Sequence, residues 1–279
     1  MSFRTPRARI AAAVTATATA LVLLAGCATG GAGGTDDGAD PAETVTLRVG
    51  AVTSPATDIV DAAGDAIADG YEIELVEVSD YVTINNMLAA GDIDANFSQH
   101  EPYMTEFNEK NGASLEAVQP IYNFVIAFYS KTLSDIDELP TGATVAIPND
   151  SSNTARALKL LSDAGVIDLA AGVDPYAATL DDVTGNPKDL QFLSLQINQL
   201  NTAYDEADLV FQWPSHIAAL GLTPQDDGLL TELDDRFALQ LVVPAADADS
   251  AATRALVDAF TSDDVREVIS GNATIEAAF

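Results

Sequence analysis

The chain has 279 residues, a formal net charge of −31, 48% hydrophobic residues and a single cysteine. A balance this acidic excludes nucleic acid and anionic lipid surfaces as partners, and the apolar content excludes a disordered chain. With one thiol there is no disulfide framework, so stability must come from apolar burial in one large domain or two ordinary ones.

Arg4, Arg7 and Arg9 precede an apolar stretch from Ile10 to Ala25, and the run Leu24-Ala25-Gly26-Cys27 follows. Basic, then apolar, then small residues at a cut is the order of a secretory signal, expected here over residues 1–26. The stretch is too short and too thinly apolar for a spanning helix. The only thiol stands directly after the small pair, as in a lipobox, so Cys27 is expected to be lipid-modified and to become the new N-terminus. An ordinary signal peptide with a chance cysteine is the alternative. Residues 1–26 hold three Arg and no acid, which leaves 9 basic against 43 acidic side chains in the remainder. An acyl tether at Cys27, rather than surface charge, is therefore expected to hold the protein at the outward face of the cell membrane. Residues 27–44, rich in Gly, Ala, Thr and Asp, read as a flexible tether.

From Val45 the pattern is that of packed elements. Val45, Leu47 and Val49 alternate as a strand. Ser54-Pro55 reads as an N-cap with Pro at the first helical position, Ile59, Ala63, Ala66 and Ile67 supply an apolar helix face, and Gly70 ends that helix. Tyr71, Ile73 and Leu75 predict a second strand. A helix near Val82–Ala90 and a strand near Ile93–Phe97 come next. Further strands are expected at Asn123–Tyr129, Ala143–Ile147, Leu190–Leu195 and Asp208–Trp213. Helices are expected over Thr154–Ala164 and Ile197–Asp205. A last strand at Leu239–Val243 precedes helices near Ala251–Thr261 and Asp263–Ile269. Strand–helix–strand units in this order predict an α/β architecture with largely parallel strands in two lobes.

Polar and aromatic side chains cluster in three places: Ser79-Asp80-Tyr81, Asp94 through Tyr103, and Pro148 through Arg156. In open α/β sheets ligands bind beyond the carboxyl ends of strands, where these segments fall. With Ser152 or Asn153 as N-cap, Arg156 falls in the first helical turn, where a guanidinium and free N–H groups make an anion site for a carboxylate. The alternative is a surface pair of Arg156 with Asp150. His100, beside Phe97, Pro102 and Tyr103, is either an orienting group in an aromatic pocket or a structural histidine. Tyr81 and Tyr103 are pocket or core tyrosines. Asp92, Asp94 and Asn96 imitate the start of a calcium loop, but Phe97 stands where that loop needs Gly and Tyr103 where it needs Glu. His100 and His216 are too few for zinc. The phosphate-loop and nucleophile-elbow motifs are missing. No catalytic group, metal or cofactor is expected.

Val76 through Thr83, Asp94 through Phe97 with Gln99-His100 and Pro102-Tyr103, Asp137 through Pro140, Val145 through Asp150 with Asn153 and Arg156-Ala157-Leu158, Asn186-Pro187-Lys188 and Ala207-Asp208 together resemble the NlpA family of lipoproteins, methionine-binding components of ABC importers. The resemblance runs from about Val45 to Ile269. It implies a two-lobed periplasmic-binding-protein-like fold with an interlobe ligand cleft, with lobe one at 45–127 plus 242–279 and lobe two at 128–241. It implies ligand-binding roles for Tyr81, Phe97, His100, Tyr103 and Arg156, and permease and ATPase subunits as partners. The chain departs from the pattern at Trp213-Pro214-Ser215, where an Asn-Gly-Asn run is usual, at Leu239 in place of a second ligand-binding Asn, at Ser98, and at Phe124-Val125. Trp213 is either a pocket residue or a core tryptophan. Losing two amides removes partners for a zwitterion. The implied ligand is methionine or a related amino acid bearing a carboxylate. The alternatives are an importer component for a different, non-amino-acid ligand and a surface lipoprotein acting in sensing or interaction.

Overall fold

The computed structural model describes residues 44–279. The signal, Cys27 and all but the last residue of the tether lie outside the described residues.

The chain begins with β1 (Val45–Ala51), α1 (Ala56–Ala66), β2 (Tyr71–Glu77), α2 (Tyr81–Ala90), β3 (Ala95–His100), α3 (Glu101–Asn111) and β4 (Leu115–Phe124). After Val125 come β5 (Ile126–Tyr129), β6 (Thr144–Pro148), α4 (Ser151–Asp163), a small hairpin of β7 (Asp168–Leu169) and β8 (Val183–Gly185), β9 (Gln191–Leu195), α5 (Leu200–Ala203), β10 (Leu209–Gln212), α6 (Pro214–Ile217), α7 (Pro224–Asp227) and β11 (Gly228–Glu232). The chain closes with β12 (Leu239–Pro244), α8 (Ala251–Phe260), α9 (Asp263–Ser270) and β13 (Ile275–Ala277).

Two sheets carry the two lobes. The first has the order β13-β4-β12-β3-β1-β2 and the second β11-β5-β10-β6-β9. Each has a parallel side that runs to one edge: β1 lies parallel to β2 and β3, and β6 parallel to β9 and β10. Each is finished by antiparallel strands, β12, β4 and β13 in the first and β5 and β11 in the second. The expected largely parallel sheets are thus mixed ones. The sequence pattern gave the βαβ units, but the strands entering from the other lobe run against them.

Local chemistry explains most elements. Val49, Ile59, Val60, Ala63 and Phe97 are fully buried between β1, β3 and α1, and transfer of such side chains from water stabilises by about 1.5–3 kcal/mol each for the larger ones. Gly50 is needed because a Cβ there would stand 2.8 Å from the side chains of both Ile84 and Ile93. Several expected boundaries move. Ser54 is not the cap of α1: it donates to Asp58, and Pro55 occupies the cap position without a side-chain bond. That helix ends at Ala66, and Gly70, at φ +90°, serves the turn into β2 instead. The expected strand at 123–129 is two strands split at Val125, where the chain passes from one sheet to the other. The expected helix at 197–205 is a 3-10 turn followed by one turn of α-helix. Helix α3 and strands β11 and β13 were not expected.

Candidate functional site

The carboxyl ends of β3 and β10 meet across a cavity with about 400 Å³ of empty space. Tyr81, Ser98, Gln99, His100, Tyr103, Phe124 and Leu239 line it from the first sheet and its helices, and Asn153, Ile197, Trp213 and Ser215 from the second. Its lining carries no Asp, Glu, Lys or Arg. One part is aromatic and aliphatic, the other is a set of neutral hydrogen-bonding groups.

Those neutral groups are held in place. Asn85, Asn96 and Gln99 are buried together. Asn85 Nδ2 donates to Gln99 Oε1 at 2.7 Å, while Gln99 Nε2 and Asn96 Nδ2 donate to Asn85 Oδ1 at 2.6 and 2.7 Å. Ser98 Oγ donates to Asn96 Oδ1 at 2.6 Å. A satisfied network of this kind fixes rotamers before a ligand arrives.

His100 closes β3 and caps α3. Its Nδ1 accepts from the backbone N–H of Tyr103 at 3.2 Å, so the ring proton sits on Nε2, which donates to Asn153 Oδ1 at 3.0 Å. Burial, reinforced by the nearby Arg156 charge, pushes the imidazole down to about 3. It is therefore a neutral donor at physiological pH. Asn153 is oriented in turn by Asp150, whose Oδ1 accepts from both the backbone N–H and the side-chain amide of Asn153 at 2.9 Å. Asp150 is the cap of α4, not Ser152 or Asn153. Half-buried Tyr81, at the start of α2, shares a 2.8 Å hydrogen bond with His216 Nε2 of α6, a second link from one lobe to the other. Burial raises the Tyr81 phenol and lowers His216, so both are neutral.

The structure thus brings Tyr81, His100, Tyr103 and Trp213 to one cavity and keeps Phe97 and Arg156 out of its wall. Phe97 points to the other side of β3, edge-on to Tyr122 and Phe260 at 5.8 and 5.0 Å between ring centres, and is a core residue. Period-two alternation explains this, because Ser98 and His100, one and three residues on, fall on the face of β3 opposite to Phe97. Arg156 lies in the second turn of α4, since the helix begins at Ser151, and is 1% exposed. It pairs with Glu232 rather than Asp150, with Nε 3.0 Å from Oε2. Ile197 is a wall residue that local pattern did not single out. Ile197 opens a short 3-10 turn whose apolar side chain looked like helix filling. Trp213 contacts Phe211 edge-on at 5.4 Å, so it is at once core-supported and cavity-lining.

No group of three or more His, Cys, Asp or Glu gathers to hold a metal among the described residues. Asp94 of the calcium-like run instead accepts from Arg48 Nε at 3.1 Å. Among the same residues no helix is long and apolar enough to cross a membrane.

The chain matches the NlpA lipoprotein family over residues 47–278. It is 35% identical over 226 residues to the D-methionine-binding lipoprotein MetQ of Escherichia coli K12, spanning 79% of this chain and 83% of that protein. A nutrient-binding protein from Burkholderia cenocepacia, solved bound to methionine, superposes with a TM-score of 0.79 at 32% identity, covering 84% of this chain and 100% of that one. A YaeC-family lipoprotein from Enterococcus faecalis reaches 39% identity and a TM-score of 0.74, covering 84% and 99%. With the match running through both lobes and the cavity between them, the chain belongs to the NlpA lipoprotein family.

Proposed function

We propose that this protein is the lipid-anchored substrate-binding component of an ABC importer and captures methionine or a closely related amino acid by closure of its two lobes. The observation that carries the reading is the amphipathic interlobe cavity, in a chain 32% identical to a protein solved with methionine in place. A thioether is long, unbranched and polarizable and packs well on aromatic faces. Tyr81, Phe124, Ile197, Trp213 and Leu239 offer that surface, and Ser98, Gln99, His100, Asn153 and Ser215 offer neutral partners for the polar end. Binding requires no bond to be made or broken.

The chain crosses between the sheets after Phe124 and again between Glu232 and Leu239. The boundaries expected at 127/128 and 241/242 fall inside β5 and β12. We place the hinges at Val125 and at 233–238, segments that belong to neither sheet and can absorb a rotation of the lobes. With Trp213 and Leu239 where the family pattern has amides, methionine loses hydrogen bonds worth roughly 0.5–1.5 kcal/mol each, so its affinity is expected to be lower than with both Asn present. The acyl anchor at Cys27 places the protein at the outward membrane face, and permease and ATPase subunits receive the ligand.

Trp213 is the only tryptophan of the chain and lines the cavity, so it reports occupancy directly. Titration with methionine is expected to give a saturable change in its fluorescence. A flat signal together with no heat in calorimetry up to millimolar methionine refutes the methionine reading. Cys27→Ser is expected to move the protein from the membrane to the soluble fraction, and its retention on membranes refutes the tether.

A further inference from the structure

Arg156 is almost fully buried, yet only one edge of its guanidinium is used. Nε donates to Glu232 Oε2 at 3.0 Å and Nη2 to Glu232 Oε1 at 3.3 Å, a side-on fork. Nη1 is buried and has no hydrogen-bond partner. Buried polar groups are almost always satisfied, so an orphaned donor on a buried cation calls for an explanation. The planar group presents five N–H bonds in a fixed fork. With the Nε–Nη2 edge taken, the edge carried by Nη1 and the outer hydrogen of Nη2 remains, and that edge also matches a carboxylate.

The surroundings place the guanidinium directly behind residues of the cavity wall. Asn153, three residues earlier and on the same face of α4, is in the cavity wall. The Arg156 guanidinium lies over the Phe237 ring at 4.2 Å, and His100, a wall residue, packs edge-on against the same ring at 5.0 Å. The Arg156 charge is also close enough to disfavour a proton on His100. Glu232 ends β11, which is hydrogen-bonded to β5, so the carboxylate that grips Arg156 is itself mounted on the sheet.

We infer that Glu232 is a positioning residue: it grips Arg156 by one edge and so sets the opposite edge, with Nη1, to receive the ligand's carboxylate at the His100–Asn153 end of the cavity. This inference rests on the amino-acid reading above. It assigns Glu232 no contact with the ligand. Its effect is to prevent the long arginine side chain from swinging to the surface or turning the wrong edge inward.

The test compares L-methionine with L-methioninamide, which lacks the anionic carboxylate, on the wild type and on Glu232→Asp, which keeps the charge but shortens the reach. The wild type is expected to prefer methionine by about tenfold or more, the worth of a charge-assisted bidentate pair. Glu232→Asp is expected to cut that preference by about fivefold while methioninamide affinity stays within about twofold. Equal weakening of both ligands, or an unchanged preference, refutes the positioning role. Should the variant not fold, guanidinium 15N NMR of the wild type decides. Saturating methionine is expected to shift the Nη1 signal of Arg156 and to leave the Glu232-bound Nε signal in place, and an unmoved Nη1 signal overturns the inference. A wild type that binds no methionine refutes the amino-acid reading and this inference together, whereas methionine binding without the Glu232 effect or the Nη1 shift refutes this inference alone.

Discussion

Glu106 ties the two lobes together away from the cavity. It stands on α3, and its Oε1 and Oε2 accept from the backbone N–H groups of Ser151 and Ser152, at 3.1 and 3.0 Å, at the start of α4. Lys110, one turn on, holds the same carboxylate. Burial pushes the carboxyl up, but Lys110 and the two N–H groups outweigh it, and the group titrates below the ordinary glutamate range. Glu106→Gln removes the charge facing the positive end of the helix and leaves one acceptor for two donors. A carboxylate at a helix N-terminus stabilises by about 0.3–1 kcal/mol. Exchanging charge-assisted bonds for one neutral bond costs roughly another 1 kcal/mol at this half-buried position. Asp150, raised chiefly by burial and further by Glu106, is relieved in the variant, which trims the effect. The net loss is about 1–2 kcal/mol, or roughly 2–6 °C in Tm for a domain this size. Because the folded pKa is depressed, the stabilisation is complete above the unfolded glutamate value near ~4.3 and disappears as pH falls through the lower folded value. Thermal unfolding of both proteins at pH 7 and at pH 3 is the assay. The gap is expected at pH 7 and much reduced at pH 3. A Tm difference under about 1 °C at pH 7, or an equal gap at both pH values, refutes the latch.

His100 supplies a second pH signature. It is neutral in the fold, with its pKa pushed down to about 3 by burial, whereas the unfolded chain takes up the proton near ~6.5. Its contribution is therefore complete above that value and lost as pH falls, with a slope of about 1.4 kcal/mol per pH unit. Denaturant titrations of His100→Gln between pH 6 and pH 4 are expected to show a shallower pH slope than wild type, and equal slopes would exclude a buried neutral His100. Phe97→Ala is expected to cost about 3–5 kcal/mol in urea unfolding, as a core aromatic does, with methionine affinity of the folded variant nearly unchanged. A selective loss of affinity without loss of stability would return Phe97 to the ligand site.

Much of the fold is legible from the sequence. Period-two runs such as Val45, Leu47 and Val49, and the apolar helix faces of α1, α8 and α9, are local signals whose physics needs no partner. The motif segments that contain His100 and Asn153 also fall at the cavity, because chemistry-bearing groups at strand ends are local too. What the sequence by itself determined is therefore the α/β architecture and the strand ends that border the cavity. The tertiary structure alone decided the rest. Phe97 left the pocket because the pleat of β3 turns it into the core beside Phe260. Arg156 stands behind the wall residues with one edge of its guanidinium occupied, because β11, an element without a strong periodic signal, delivers Glu232 to it across 76 residues of chain. The split of the expected strand at Val125 and the antiparallel edges of both sheets follow from which lobe each segment enters. Pairing partners, ion pairs and the faces left open by them depend on distant segments meeting, and local pattern carries no record of that.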